Sequence, residues 1–306
     1  MKRKILIDTD PGVDDAMALM LAIKSEQFDL QAITTVCGNA TIENVTRNAR
    51  FVLEVLGRSD LPLYSGAAHP LVKSLQISVV HGASGLGKIE PAAEPSLTAN
   101  AVEKILALVE ASDGEITLVA LGPLTNIAQA IQQNPQVMSR VREIVMMGGA
   151  IKAPGNVSPV AEFNFYVDPD AAEIVFRAPI PRVMVPLDAC NKVCFSLDDY
   201  AAVSDARLRK ILVEMAEPYI RSIAKADGEQ AAPVYDALTI FYLIRPELCD
   251  TYRCHVAIET AGRLTSGMSV ADLRPKPEGK PNTTVVDSVD EEAFRHFFVE
   301  TLSRTN

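Results

Sequence analysis

The chain predicts an α/β protein with an open, mainly parallel, Rossmann-like sheet covered by helices on both faces. Three observations predict it. Short apolar runs of strand type alternate with helix-period segments through the first two-thirds of the sequence. Those runs are continuously apolar, as strands buried on both faces are, rather than alternating. Polar and glycine-containing clusters recur directly after them, at the strand ends where such sheets gather ligands.

The first strand, over 4–8, delivers the densest feature of the chain, Asp8-Thr-Asp10-Pro-Gly-Val-Asp14-Asp15. Pro11-Gly12 turns the chain, and Asp14 and Asp15 stand where a helix over 15–24 begins. A strand over 30–37 ends on Gly38-Asn39 and precedes a helix over 43–56. A helix over 99–111 leads to a strand over 116–121, whose end carries Gly122-Pro-Leu-Thr125-Asn126 at the start of a helix over 124–133. The strand over 143–147 ends on Gly148-Gly149, and a helix over 169–176 and a strand over 182–186 follow. From about 196 to 226 the chain turns helical and charged, and Pro233-Val-Tyr235-Asp236 opens a further apolar helix. A strand over 253–259, a proline-rich loop over 275–282 and a helix over 291–304 complete the chain. No repeat and no composition break marks a linker, so residues 1–306 are expected to form one domain with a helical insertion.

Composition narrows the function. At 48% hydrophobic and 22% charged residues the chain has material for a large core, and its net charge of −10 disfavours nucleic acid or an anionic membrane as partner. It has no Trp and only 6% aromatic residues, so stacking platforms for single strands are scarce. Five scattered cysteines without a Cys-x-x-Cys pair and four dispersed histidines argue against structural zinc. Only three apolar residues follow the basic N-terminus before Asp8, too few for a signal peptide, and no run approaches a membrane span. A cytoplasmic protein is expected.

Four aspartates within eight residues demand an explanation. One or two could simply cap a helix. A helix N-terminus offers roughly half a positive charge, which cannot neutralise four converging carboxylates. A hard divalent cation, Ca²⁺ or Mg²⁺, is the expected partner of such an all-oxygen set. The spacing does not match the EF-hand loop.

The motif Asp8-Thr-Asp-Pro-Gly-Val-Asp-Asp15 resembles the signature of the nucleoside hydrolases, calcium-dependent enzymes that cleave the N-glycosidic bond of ribonucleosides. Thr35-Val-Cys-Gly-Asn39, Ala120-Leu-Gly-Pro-Leu-Thr-Asn-Ile127, Met147-Gly-Gly-Ala150, Gly155-Asn156, the stretch from Ala161 to Asp170, and Val234-Tyr-Asp236 resemble further family segments in the same order. The resemblance implies the nucleoside hydrolase fold, one Ca²⁺ per subunit, and a homodimer or homotetramer. It implies Asp10, Asp15, Asp236 and the main-chain carbonyl of Thr125 as calcium ligands. Asp10 would act as general base toward the attacking water. Asp14, Asn39, Asn156, Glu162 and Asn164 would bind ribose, with Met147 beside them. Glu162 and Asn164, two apart in a stretch read as extended, would share a face. Asn39 and Asn156, next to glycines, would serve equally as turn residues.

The base-binding half departs from the family pattern. Tyr235 stands where many relatives have a histidine that protonates the leaving base. Its hydroxyl could donate a proton, although a phenol near pKa 10 is a poorer acid than an imidazole near 6.5. Its ring could equally stack on the base or pack in the core. Ser84 occupies the usual place of an acidic residue, and Ile223 that of an aromatic in inosine-type relatives. His81 and Tyr219 are candidates for contacts to the base or the 5′ region. Two other functions compete: a Mg²⁺-dependent phosphatase of the haloacid-dehalogenase type, which also carries Asp-x-Asp after its first strand, and a non-catalytic nucleoside- or ribose-binding protein.

Overall fold

The computed structural model describes residues 2–92, 100–223 and 230–304. Its strands are β1 (Arg3–Thr9), β2 (Phe28–Thr35), β3 (Leu63–Ser65), β4 (Thr117–Ala120), β5 (Glu143–Met147), β6 (Arg182–Val185), β7 (Cys194–Ser196), β8 (Ala231–Pro233), β9 (Cys249–Ile258), β10 (Ser269–Asp272) and β11 (Thr283–Val289). Nine form one sheet in the order β10-β9-β11-β6-β5-β4-β1-β2-β3, while β7 and β8 pair as a separate antiparallel ribbon. The run from β3 to β11 is parallel, and β9 and β10 add antiparallel pairings at one edge.

The helices are α1 (Val13–Lys24), α2 (Ile42–Val55), α3 (Ala101–Ala111), α4 (Thr125–Gln133), α5 (Pro135–Met138), α6 (Phe163–Val167), α7 (Pro169–Arg177), α8 (Leu187–Cys190), α9 (Leu197–Ala201), α10 (Ala206–Ile223), α11 (Tyr235–Ile244) and α12 (Glu291–Ser303). Strand alternation divides the apolar residues between two cores. Ile5 and Ile7 of β1 face α1, α10, α11 and α12, whereas Leu6 joins β4 with α3, α4 and α7. Helix α1 is buried along nearly its whole length, so its first turn is held rigidly.

The chain leaves β1 toward β2 and β3 on one side, then passes to β4, β5 and β6 on the other. The order therefore reverses between β1 and β4, the point at which doubly wound sheets open a crevice outside the strand ends. One side chain braces that crevice. Asn126, fully buried, donates through Nδ2 to Asp8 Oδ1 (2.8 Å) and the Thr35 carbonyl (3.0 Å) and accepts from Ala67 N (2.9 Å). The Thr34 hydroxyl donates to the same Asp8 oxygen at 2.6 Å.

The expected strands and long helices are present with ends shifted by a few residues. The helix expected from 99 begins, within the described residues, at Ala101, and position 99 and the end of the charged segment at 224–226 lie outside them. Five strands were not anticipated. β3, β7 and β8 have three residues each and β10 four, and β11 starts on Thr283-Thr284 just after the proline-rich loop. One reading is corrected: the stretch at 162–164 is not extended. Glu162 caps α6, its carboxylate accepting from the main-chain N–H groups of Asn164 (2.8 Å) and Phe165 (3.3 Å), and those bonds start a helical turn there.

Replacing Asn126 by Ala strands the Ala67 N–H and part of the Asp8 carboxylate, and should lower unfolding stability in urea by about 3 kcal/mol. A loss below about 1 kcal/mol would refute the brace.

Candidate active site

The motif after β1 builds the floor of the crevice. Gly12 is the N-cap of α1, and Asp15 reaches back to accept from its N–H at 3.1 Å, so the capping role of an acidic residue is real. Asp15 also accepts from the Thr9 hydroxyl (2.5 Å), Asp10 N (3.2 Å) and Asn39 Nδ2 (2.9 Å). Asp10 is fully buried between two glycines. A Cβ on Gly38 would stand 2.1 Å from Asp10 Oδ2, and one on Gly122 2.5 Å from Oδ1, so only glycine admits the carboxylate. Asn39 N donates to Asp10 Oδ2 at 2.7 Å.

Capping accounts for Asp15 alone. Asp14, Asp15 and Asp236, the last from the first turn of α11, each offer an oxygen within 4.8 Å of the others. The tightest grouping thus contains Asp14, where Asp10 was expected beside Asp15 and Asp236. Asp10 Oδ1, Asp14 Oδ1 and Asp236 Oδ1 are buried and make no hydrogen bond among the described residues. No lysine or arginine lines the cavity above them among those residues. Burial, reinforced by mutual repulsion, pushes Asp10 and Asp236 well above the usual carboxylate range and Asp14 up to about 8. Two helix N-termini, of α1 and α11, aim at the cluster but together supply only about one positive charge. Orphaned buried oxygens without a counter-charge fit a hard divalent cation.

The cavity has a volume of about 490 Å³, and Asp14, Asn39, Met147, Asn156, Glu162 and Asn164 line its inner part. Asn164 Nδ2 donates to the carbonyls of Leu121 (2.8 Å) and Met147 (3.3 Å), which leaves its Oδ1 for the cavity. Glu162 Oε2 accepts from Gly149 N at 2.8 Å, and burial raises this carboxyl to about 7 against the pull of its main-chain donors. Asn156 Oδ1 accepts from Phe163 N at 3.0 Å. These fixed amides and carboxylates present acceptors and donors side by side, as a polyol requires.

Thr125 is placed elsewhere. It opens α4, its hydroxyl donates to Asp168 at 2.7 Å, and its carbonyl lies in the first turn of a helix, where it points along the axis to the residue four positions on. Leu121, just past the end of β4, lines the cavity instead. That carbonyl escaped sequence reasoning because every residue carries one; the available signal was a strand end directly before Gly122-Pro123.

In the outer half, His81 Nδ1 accepts from Val13 N at 3.2 Å, and its ring stacks on Tyr219 with centroids 5.3 Å apart. Burial lowers the imidazole to about 3, so it is neutral and carries its proton on Nε2. Tyr219 donates its hydroxyl to the Pro233 carbonyl at 3.1 Å and offers the site a ring rather than a polar tip. Tyr235 lines the cavity, and burial with nearby Asp14 holds its phenol protonated. Ser84 is turned away, its hydroxyl bonded to the Ile89 carbonyl, while Ile223 lines the wall.

The model of the inosine-uridine preferring nucleoside hydrolase family matches residues 5–296. The chain belongs to that family. It is 40% identical over 302 residues to the pyrimidine-specific ribonucleoside hydrolase RihA of Escherichia coli, covering 96% of each. A solved plant nucleoside hydrolase superposes with a TM-score of 0.92 at 33% identity over 100% of both chains. The purine-preferring ribonucleoside hydrolase from Gardnerella vaginalis gives 0.89 at 29% identity over 98% of both. This nucleoside hydrolase therefore cleaves the N-glycosidic bond of ribonucleosides. The family is metal-dependent, and the aspartate cluster is present here. These matches do not favour the phosphatase alternative.

The carboxyl shifts set a pH dependence. Asp14 titrates near 3.8 when unfolded and near 8 when folded, so between about pH 4 and 8 the folded chain binds more protons. Stability of the metal-stripped protein should fall as pH rises through that window. Added divalent cation should restore the melting temperature most at pH 8, because it replaces the lost protons. Thermal melts with and without chelator measure this, and a flat profile in chelator would refute the convergence of the carboxylates.

Proposed function

We propose that the hydrolase works as a single domain over residues 1–306 and binds Ca²⁺ among Asp10, Asp14, Asp15 and Asp236, with the Leu121 carbonyl replacing that of Thr125. The observation that carries this reading is the set of three orphaned buried carboxylate oxygens at the floor of a cavity lined by amides and carboxylates that suit a polyol. Bound there, calcium would neutralise the cluster, fix the ribose hydroxyls and polarise a water. Five cysteines, none of them in a disulfide, suit a reducing, cytoplasmic setting.

The residues then divide the work. Asp14 and Asn39 hold ribose hydroxyls from the floor, and Asn156, Glu162 and Asn164 hold the sugar from the side. As the bond from anomeric carbon to base nitrogen stretches, positive charge grows on the sugar ring. The acceptor oxygens of Asn164, Glu162 and Asp14 stabilise that charge in a site screened from bulk water. Water attacks the anomeric carbon and gives its proton to Asp10, without a covalent sugar–enzyme intermediate. The electron pair of the broken bond leaves with the base. Tyr235 donates a hydrogen bond to that base, and the His81–Tyr219 pair walls its subsite. A phenol held protonated is a weak acid, so stabilisation of the ribosyl cation carries more of the barrier than leaving-group protonation.

Ribose release from a panel of natural ribonucleosides, with and without chelator, tests the whole reading; turnover that survives complete metal removal would end it. Asp10→Asn should lower kcat by roughly 10³-fold or more while the fold, followed by circular dichroism, is kept. Tyr235→Phe should lower kcat about tenfold to a hundredfold on natural nucleosides and spare p-nitrophenyl riboside, whose leaving group needs no proton. Equal losses on both substrates would assign Tyr235 to packing.

A further inference from the structure

The outer rim of the cavity is apolar, in contrast to its acidic and amide-lined inner part. Among the described residues, seven large apolar side chains are exposed, and three of them, Ile77 (46%), Val79 (89%) and Val157 (39%), line this one cavity. Val80 and Ile223 extend the same apolar wall inward. Every charged lining residue lies at the inner end. Isolated exposed apolar side chains are ordinary, but a cluster around the mouth of a binding site marks a surface that something covers.

The rim is built in place. Ser222 Oγ donates to the Val80 carbonyl at 3.0 Å, Lys88 N donates to the Glu214 carbonyl at 3.2 Å, and Lys88 Nζ pairs with Glu217 at 2.5 Å. These bonds fasten the segment carrying Ile77 and Val79 to α10, beside the stacked His81 and Tyr219. The part of the wall carrying Ile77 and Val79 therefore extends the base subsite, whereas Val157 adjoins Asn156 on the sugar side. A base seated against Tyr219 and Tyr235 would direct its outward edge at Ile77, Val79 and Ile223.

We infer that this hydrolase takes ribonucleosides whose base carries an apolar substituent on the edge away from the sugar, and that Ile77 and Val79 recognise that substituent. The inference rests on the nucleoside-binding reading of the site given above. Apolar burial of this kind discriminates by about tenfold or more per added group of methylene size or larger.

The test compares kcat/KM for adenosine with N6-isopentenyladenosine, and for uridine with 5-propynyluridine, using the calcium-loaded enzyme. The substituted partner of at least one pair should be preferred about tenfold or more. In the double variant Ile77→Asn/Val79→Asn that ratio should fall toward one, whereas Val72→Asn, exposed but outside the cavity, should keep it. A ratio near one in the unaltered enzyme overturns the inference and leaves the hydrolase reading standing. A ratio that survives the double variant overturns the assignment to Ile77 and Val79. An advantage confined to 5′-deoxy-5′-methylthioadenosine would move the apolar contact to the ribose side and overturn it too. No ribose from any nucleoside would overturn the site reading itself.

Discussion

Burying carboxylates beside one another without a counter-charge is among the most expensive arrangements a protein can make, and this fold makes it on purpose at the crossover between β1 and β4. The cost is visible in Asp10, Asp14 and Asp236, all pushed toward protonation by burial and by each other. Much of the surrounding architecture serves to hold them there. Glycines at 38 and 122 clear space for Asp10, the wholly buried α1 fixes Asp14 and Asp15, and α11 brings Asp236 from a distant part of the sequence. A cation resolves the conflict, and the protein then spends its ordering on geometry instead of on repulsion.

Around that centre, each polar side chain does two jobs. Asn39 ties Asp10 to Asp15 through its N–H and its amide, and still faces the cavity. Glu162 caps α6 and receives Gly149 N while lining the cavity. Asn164 is locked by two carbonyls, so the oxygen it presents is the one a developing cation wants. Preorganisation of this sort lets dipoles act without reorienting during the reaction.

The parallel sheet and the position of its site were legible because buried strands and strand-end clusters leave strong local marks. Asp10, Asp14 and Asp15 stood out as well, since acids crowded into one short motif have few structural explanations, whereas Asp236, far off in sequence, was reached only through the resemblance. Other parts were not. The residues 162–164 read as a strand because the helical turn depends on a bond from the Glu162 side chain that no periodicity reveals. Leu121 and Thr125 cannot be told apart by type when the main chain supplies the ligand. The rim residues Ile77 and Val79 sit in a segment without regular structure, so their clustering emerges only once α10 is folded against them.

The two halves of the cavity are anchored differently. The acidic floor is bonded into strand ends and helix starts, whereas the outer wall hangs on an irregular segment fastened to α10 by a few bonds such as Ser222 to Val80. Point changes in that wall can therefore accumulate over evolutionary time without disturbing the charge-bearing core. The relatives named pyrimidine-specific and purine-preferring share this scaffold, as expected if the outer wall varies while the charge-bearing floor is kept.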